Sequence, residues 1–193
     1  DTRPMTIPIG AHVPQDDPLA EARARHTTVV QFFLGAPQSY KGPVVAYASG
    51  PEALRADAEA AGVDLYVHAP YVVNVATTNN RIRIPSRGLL QQHMDAAAAI
   101  GAKGLIVHGG HVDRGVDPVV GFDNWRKAIE ATDLKIPLLL ENTAGGDNAM
   151  ARHLDRIAGV WDAIASAAGA DQVGFCLDTC HAWAGGIELD TAV

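Results

Sequence analysis

The chain is short of several things. It has only two cysteines, Cys176 and Cys180, in 193 residues. That excludes a disulfide framework, and with three residues between them and no second Cys/His pair nearby a zinc ribbon is excluded too. Reduced, buried thiols are expected instead. No apolar run approaches the roughly 18 residues of a membrane span. The N-terminus is polar and has no apolar h-region, so no signal peptide is expected and the location expected is cytoplasmic. Basic residues are few: Lys and Arg total 15 against 22 Asp and Glu, a net charge of -7. Binding of nucleic acid by bulk charge alone is thereby disfavoured, although bound divalent metals would offset much of that charge. No Gly-x-Gly-x-x-Gly follows an early strand, which weakens a dinucleotide-binding reading. No Gly-x-Ser-x-Gly offers a covalent nucleophile.

What is present is a set of apolar, β-prone runs that each end in a ligand-type side chain. Leu65-Tyr66-Val67 ends in His68, and Leu105-Ile106-Val107 ends in His108. Pro137 to Leu140 ends in Glu141, and Gly174 to Leu177 ends in Asp178, with His181 three residues on. Hydrophobic residues make up 48% and charged residues 19%, a composition with enough apolar material for one globular domain.

Between these runs the chain reads as helix. A first strand is expected over Met5–Val13, a short helix around Leu19–Arg25 and a second strand over Val29–Leu34. Gly50-Pro51 starts a helix that Gly62 ends. Strands are expected at Asp64–His68, Gly104–His108, Ile136–Glu141 and Val173–Asp178. The helices between them are expected to start at a Ser86 cap, near Pro118, and at an Asp147 or Asn148 cap. The last of these carries Met150, Leu154, Ile157, Trp161 and Ile164 on one face. Strand and helix alternate with a period of about 35 residues, the pattern of parallel βα units buried on both faces. An open doubly wound sheet and a (β/α)₈ barrel both fit; ligands converging from four strand ends favour the barrel. Six strands are visible, so a barrel would be incomplete.

His68, His108, Glu141, Asp178 and His181 share one topological level. Imidazole and carboxylate without an inner thiolate suit a catalytic Zn²⁺, Mn²⁺ or Fe²⁺ site rather than a structural one. Burying such a set without a cation would be costly. His12 and His111 lie close by as loop or outer-shell residues.

The segments that carry these residues resemble, in order, those of the endonuclease IV family. They are Ile9-Gly10-Ala11-His12-Val13, His68-Ala69-Pro70-Tyr71, Val107-His108-Gly109-Gly110-His111, Glu141-Asn142-Thr143-Ala144-Gly145-Gly146 and Leu177-Asp178-Thr179-Cys180-His181-Ala182. The resemblance implies a zinc-dependent apurinic/apyrimidinic endonuclease of base-excision DNA repair: a TIM barrel with three zinc ions that hydrolyses the phosphodiester 5′ to an abasic site in double-stranded DNA. It implies that His68, His108 and Glu141 bind the first zinc. Glu141, the catalytic residue of this reading, bridges to the second, Asp178 binds the second and His181 the third. It implies DNA-binding roles for Tyr71 and Val72 as a wedge and for Gln38 and Tyr40 on the preceding βα loop, where the family can carry arginine in place of Gln38. Arg81, Arg83, Arg87 and Arg114 are candidates for phosphate contacts. The family completes its second and third sites on later strands, and Glu188 and Asp190 do not match those motifs. Residues 1–193 are therefore expected to be one partial domain lacking its last two βα units, with at most one complete metal site, inactive by itself and a monomer. The alternatives are a divalent-metal sugar isomerase or epimerase of the same barrel class, and a non-catalytic metal-binding fragment.

Overall fold

The computed structural model describes residues 7–189. Six strands and six helices alternate: β1 (Gly10–His12), α1 (Pro18–Ala24), β2 (Val29–Phe33), α2 (Pro51–Ala61), β3 (Asp64–His68), α3 (Asn80–Ala99), β4 (Gly104–His108), α4 (Pro118–Ala131), β5 (Leu138–Glu141), α5 (Leu154–Ala165), β6 (Val173–Cys176) and α6 (Thr179–Gly185). The strands form one sheet in the order β1-β2-β3-β4-β5-β6. Every neighbouring pair is parallel. Among the described residues β1 and β6 do not pair, so the sheet is an incomplete (β/α)₈ barrel, open along one side.

Register decides which side chains meet. Phe33 pairs with His68, and His68 with Ile106, two residues short of His108. His108 pairs with Glu141, and Glu141 with Cys176, two residues short of Asp178. Residues in parallel register point to the same face, as do residues two apart. Phe33, His68, His108, Glu141 and Cys176 therefore share the concave face.

The opposite, convex face carries the core. Val30, Phe32, Leu65, Val67, Leu105, Val107, Leu138 and Leu140 are sealed beneath the helices. Leu54 of α2, Leu90 and Met94 of α3, Trp125 and Ile129 of α4 and Val160 and Ile164 of α5 meet them from the other layer. At about 1.5–3 kcal/mol for each fully buried large side chain, this layer supplies most of the hydrophobic stabilisation. Burial on both faces, expected from the apolar runs, is incomplete: Ile106, His68 and Glu141 are buried on the concave face, but their neighbours there are not. On the concave face Gln31, Phe33, Tyr66 and Leu139 are partly exposed, and on the convex face of the edge strand β6 Phe175, the register partner of Leu140, is 41% exposed.

Several expected boundaries move. β1 is three residues, because its ladder begins where Gly10 meets Val29; Ile7 and Ile9 ahead of it are 83% and 81% exposed. Met5 and Asp190 lie outside the described residues. Helix α3 starts before Ser86, capped by the Asn79 side chain on the Arg81 amide at 3.0 Å. Ser86 is fully buried inside the helix, and its hydroxyl accepts from the Asn74 amide at 3.0 Å. Helix α5 starts at Leu154, not near Asn148, because the segment before it folds over the strand ends. There Thr143 N–H reaches Ala151 O, Met150 N–H reaches Gly110 O, and Met150 is buried. Of the face expected for that helix, Leu154 and Trp161 are 68% and 37% exposed, turned toward the open side.

Candidate metal centre

Four strand ends bring five ligand-type side chains to the concave face. Glu141 ends β5, is 5% exposed, and stands between two groups. Its Oε2 lies 2.9 Å from His68 Nε2 and 3.3 Å from His108 Nε2. Its Oε1 lies 3.4 Å from His181 Nδ1, which is in turn 3.5 Å from Asp178 Oδ2. Two sets result, His68-His108-Glu141 and Glu141-Asp178-His181, each with one ligand atom per residue mutually within 4.8 Å.

Three of these spacings fit a cation, and the fourth, 2.9 Å from His68 to Glu141, is a hydrogen-bond length. Ligands 2.0–2.2 Å from a tetrahedral metal lie roughly 3.3–3.6 Å from one another. The tautomer of His68 fits as well. Its Nδ1 lies 2.6 Å from the Ala69 carbonyl, which calls for Nδ1–H there and turns Nε2 to Glu141, where it can carry either a proton or a cation. Burial pushes the Glu141 carboxyl upward, but the hydrogen bonds and charge of His108 and His68 outweigh it and hold the group at about 2. The side chain is thus a carboxylate across the physiological range, as a bridging ligand must be.

Rings wall the site. Phe33 packs under His68 with centroids 5.0 Å apart and meets His12 at the same distance on its other side. Tyr71, 49% exposed, stands over His68 and His108. Its loop is tied to the preceding βα loop: Tyr71 N–H donates to Pro37 O at 2.7 Å, and Tyr40 Oη to Val72 O at 3.0 Å. Gln38 and Tyr40 are exposed on that loop, while the Val72 side chain packs partly against the core. A groove of about 690 Å³ runs from His108 and His181 past Tyr71 and Val72 to the Gly145-Gly146 loop.

One buried asparagine sets the far wall of that groove. Asn74 Oδ1 accepts from the His111 amide at 3.2 Å and Nδ2 donates to the His111 carbonyl at 3.0 Å. Gly110, with φ +67°, lets this happen, since a Cβ there would stand 2.4 Å from Asn74 Oδ1. Behind it, Trp125 Nε1–H donates to Gly109 O at 2.8 Å.

Some sequence expectations require correction here. Arg83 directs its guanidinium to Thr77 O and Asn80, and Arg87 to Asn124 O, so both are held against the protein by neutral acceptors rather than extended into solvent. Arg81 and Arg114 are exposed. Of the two free thiols only Cys176 is partly buried; Cys180 is exposed. Burial, with Glu141 and Asp178 close by, pushes the Cys176 thiol up to about 11, so it is protonated at neutral pH. Asn74 and Asn142 have site contacts that residue type and spacing did not single out.

Comparison with known proteins agrees with this geometry. The family described as Xylose isomerase-like TIM barrel matches residues 19–192. A protein of Mycobacterium ulcerans named probable endonuclease 4 is 54% identical over 181 residues, covering 94% of this chain and 68% of its own length. One of Mycobacterium tuberculosis with the same name is 52% identical over 185 residues, covering 96% and 69%. The chain belongs to the endonuclease IV family. Among solved structures, endonuclease IV from Thermus thermophilus superposes with a TM-score of 0.76 at 28% identity, covering 94% of this chain and 66% of that one. The chain thus spans about two thirds of the length of the family members it matches. A D-tagatose 3-epimerase-like protein, at 16% identity and a TM-score of 0.70, shares the fold.

Proposed function

We propose that this protein is the barrel portion of a zinc-dependent apurinic/apyrimidinic endonuclease that hydrolyses the phosphodiester 5′ to an abasic site in double-stranded DNA. One observation carries the reading. In a chain 54% identical to a protein named probable endonuclease 4, Glu141 is shared between two ligand groups in a cavity that a half-exposed tyrosine, Tyr71, also lines.

His68, His108 and Glu141 would hold one cation, Glu141 and Asp178 a second, and His181 a third through Nε2, since its Nδ1 lies 3.0 Å from the Asn142 carbonyl. Zinc is favoured because the donors are neutral imidazole and carboxylate. Bound metals supply positive charge for the phosphoryl oxygens and acidify a water at neutral pH. The protein contributes placement: Tyr71 and Val72 enter the duplex beside the lesion, Gln38 and Tyr40 contact it from the neighbouring loop, and the groove walls exclude bulk water. The reading is of a cytoplasmic monomer; free Cys176 and Cys180 suit a reducing compartment. Residues 1–193 are read as one partial barrel, its last two βα units missing, and turnover as the property of a chain that carries all eight.

A duplex oligonucleotide with one tetrahydrofuran abasic analogue is the test substrate. Appending the last two βα units of a family member should give chelator-sensitive nicking at the 5′ side of the lesion. The same protein should turn over no ketose, and ketose epimerisation without nicking would overturn the proposal. Strong chelator-sensitive nicking by the 193-residue chain would overturn its description as inactive alone.

A further inference from the structure

The ladder between β5 and β6 ends at the pair Glu141 and Cys176. The next backbone contact, from Asn142 N–H to Cys176 O, is stretched to 3.4 Å. Asp178 lies beyond the ladder, so something other than sheet pairing must fix it. The Asn142 side chain does so. It is 1% exposed; its Oδ1 accepts from the Asp178 amide at 2.7 Å and its Nδ2 donates to the Asp178 carbonyl at 2.9 Å. One primary amide thus satisfies both main-chain groups of one residue, as a neighbouring strand would.

The consequences pass to both ligands of the second group. Held this way, Asp178 caps α6, with Oδ1 accepting from the His181 amide at 2.7 Å. That fixes the carboxylate, leaving Oδ2 facing His181 Nδ1. The Asn142 carbonyl meets the same Nδ1 at 3.0 Å. The Asn142 side chain makes no hydrogen bond to either histidine of the first group. His68 and His108 sit in continuous ladders, and their rings are set by Ala69 O, Phe33 and Tyr71.

We propose that Asn142 is the positioning residue of the Asp178 and His181 ligands: its amide, in place of a backbone ladder, sets where they stand against Glu141. The inference rests on the metal-binding reading above. Alanine at 142 would leave the Asp178 amide without its partner and its carbonyl with the Ala182 amide alone, and let the start of α6 drift. Aspartate would keep an acceptor for the Asp178 amide but turn an oxygen toward its carbonyl.

The test uses the 193-residue chain and Zn²⁺ titrated against a competing chelator, with His108→Ala and Asp178→Ala chains to assign each binding step to its group. In Asn142→Ala, affinity at the binding steps that depend on Asp178 should fall about 10- to 100-fold while the step that depends on His108 stays within about twofold. A second readout needs no metal. In the metal-free wild type the Asp178 amide should be protected from hydrogen exchange, and Asn142→Ala should remove that protection while sparing the amides of β3 and β4. Should Asn142→Ala not fold, Asn142→Asp carries the same test, with the Asp178 amide still protected and the second group still weakened. Equal loss at both groups, no loss at either, or an unprotected Asp178 amide in the wild type would each overturn the proposal. A wild type that takes up no Zn²⁺ would sink the metal reading, and the exchange arm would still decide whether Asn142 fixes Asp178.

Discussion

The Tyr71 ring lies nearly parallel to the His108 imidazole, centroids 5.2 Å apart and planes 21° apart. A residue proposed to enter DNA is thus in contact with a proposed metal ligand. Because the ring is half exposed, most of what Tyr71→Ala removes is surface offered to the duplex. Binding to abasic-site DNA, read by fluorescence anisotropy, should weaken about tenfold or more, in line with about 1–3 kcal/mol per stacked base. Zinc uptake should change much less, and Tyr71→Phe should restore binding. Equal loss of DNA and zinc would make the ring a support for His108 only.

Glu141 is common to both ligand groups, whereas His68 serves one. Glu141→Ala should therefore lower zinc uptake at both groups, and His68→Ala at the first alone, as counted by metal analysis after dialysis at fixed free Zn²⁺. Metal should also stabilise the fold. At free Zn²⁺ 100 times the dissociation constant, one site adds about 2.7 kcal/mol, so chelation should lower the melting temperature of the wild type and leave Glu141→Ala nearly unmoved.

His93 is 1% exposed within α3, with Nδ1 3.0 Å from the Leu89 carbonyl. Burial holds its pKa below the usual 6.5 despite that hydrogen bond. Between the folded value and 6.5 the unfolded chain binds more protons, so stability is complete above 6.5 and falls as pH drops through the folded value. Denaturant midpoints at pH 7.5 and 5.5 should differ more for wild type than for His93→Leu. An identical difference in the two proteins would remove His93 from the acid response.

Trp125 ties the loop behind His108 to the core through its indole N–H. Trp125→Phe leaves the Gly109 carbonyl without that donor and a gap beside it. A loss of about 1–3 kcal/mol of unfolding free energy is expected, the range for a buried polar group deprived of its partner. Guanidinium unfolding of the metal-free chain measures it.

The amino-acid order by itself determined the alternation of strand and helix. An apolar run ending in His68, His108 or Glu141, followed by glycine or proline signals and an amphipathic segment, leaves few other arrangements. Proline at the start of α2 and glycine in the left-handed conformation at its end mark that helix on local chemistry alone. The identity of the five ligand-type residues was legible for the same reason, since charged and imidazole groups rarely end buried strands without a role. Helix α3 was misplaced because the Ser86 hydroxyl, a good cap in isolation, is spent on the Asn74 amide of a loop twelve residues earlier.

Only the tertiary structure decided which histidines share an oxygen of Glu141, that the concave face is half open, and that Arg83 and Arg87 are hydrogen-bonded to the protein. Those outcomes depend on strand register and on hydrogen bonds between segments such as Asn142 and Asp178, 36 residues apart. Composition and periodicity specify what each residue prefers locally. Which buried donor meets which acceptor is settled when the chain packs, because a polar group removed from water must find a partner wherever the fold supplies one.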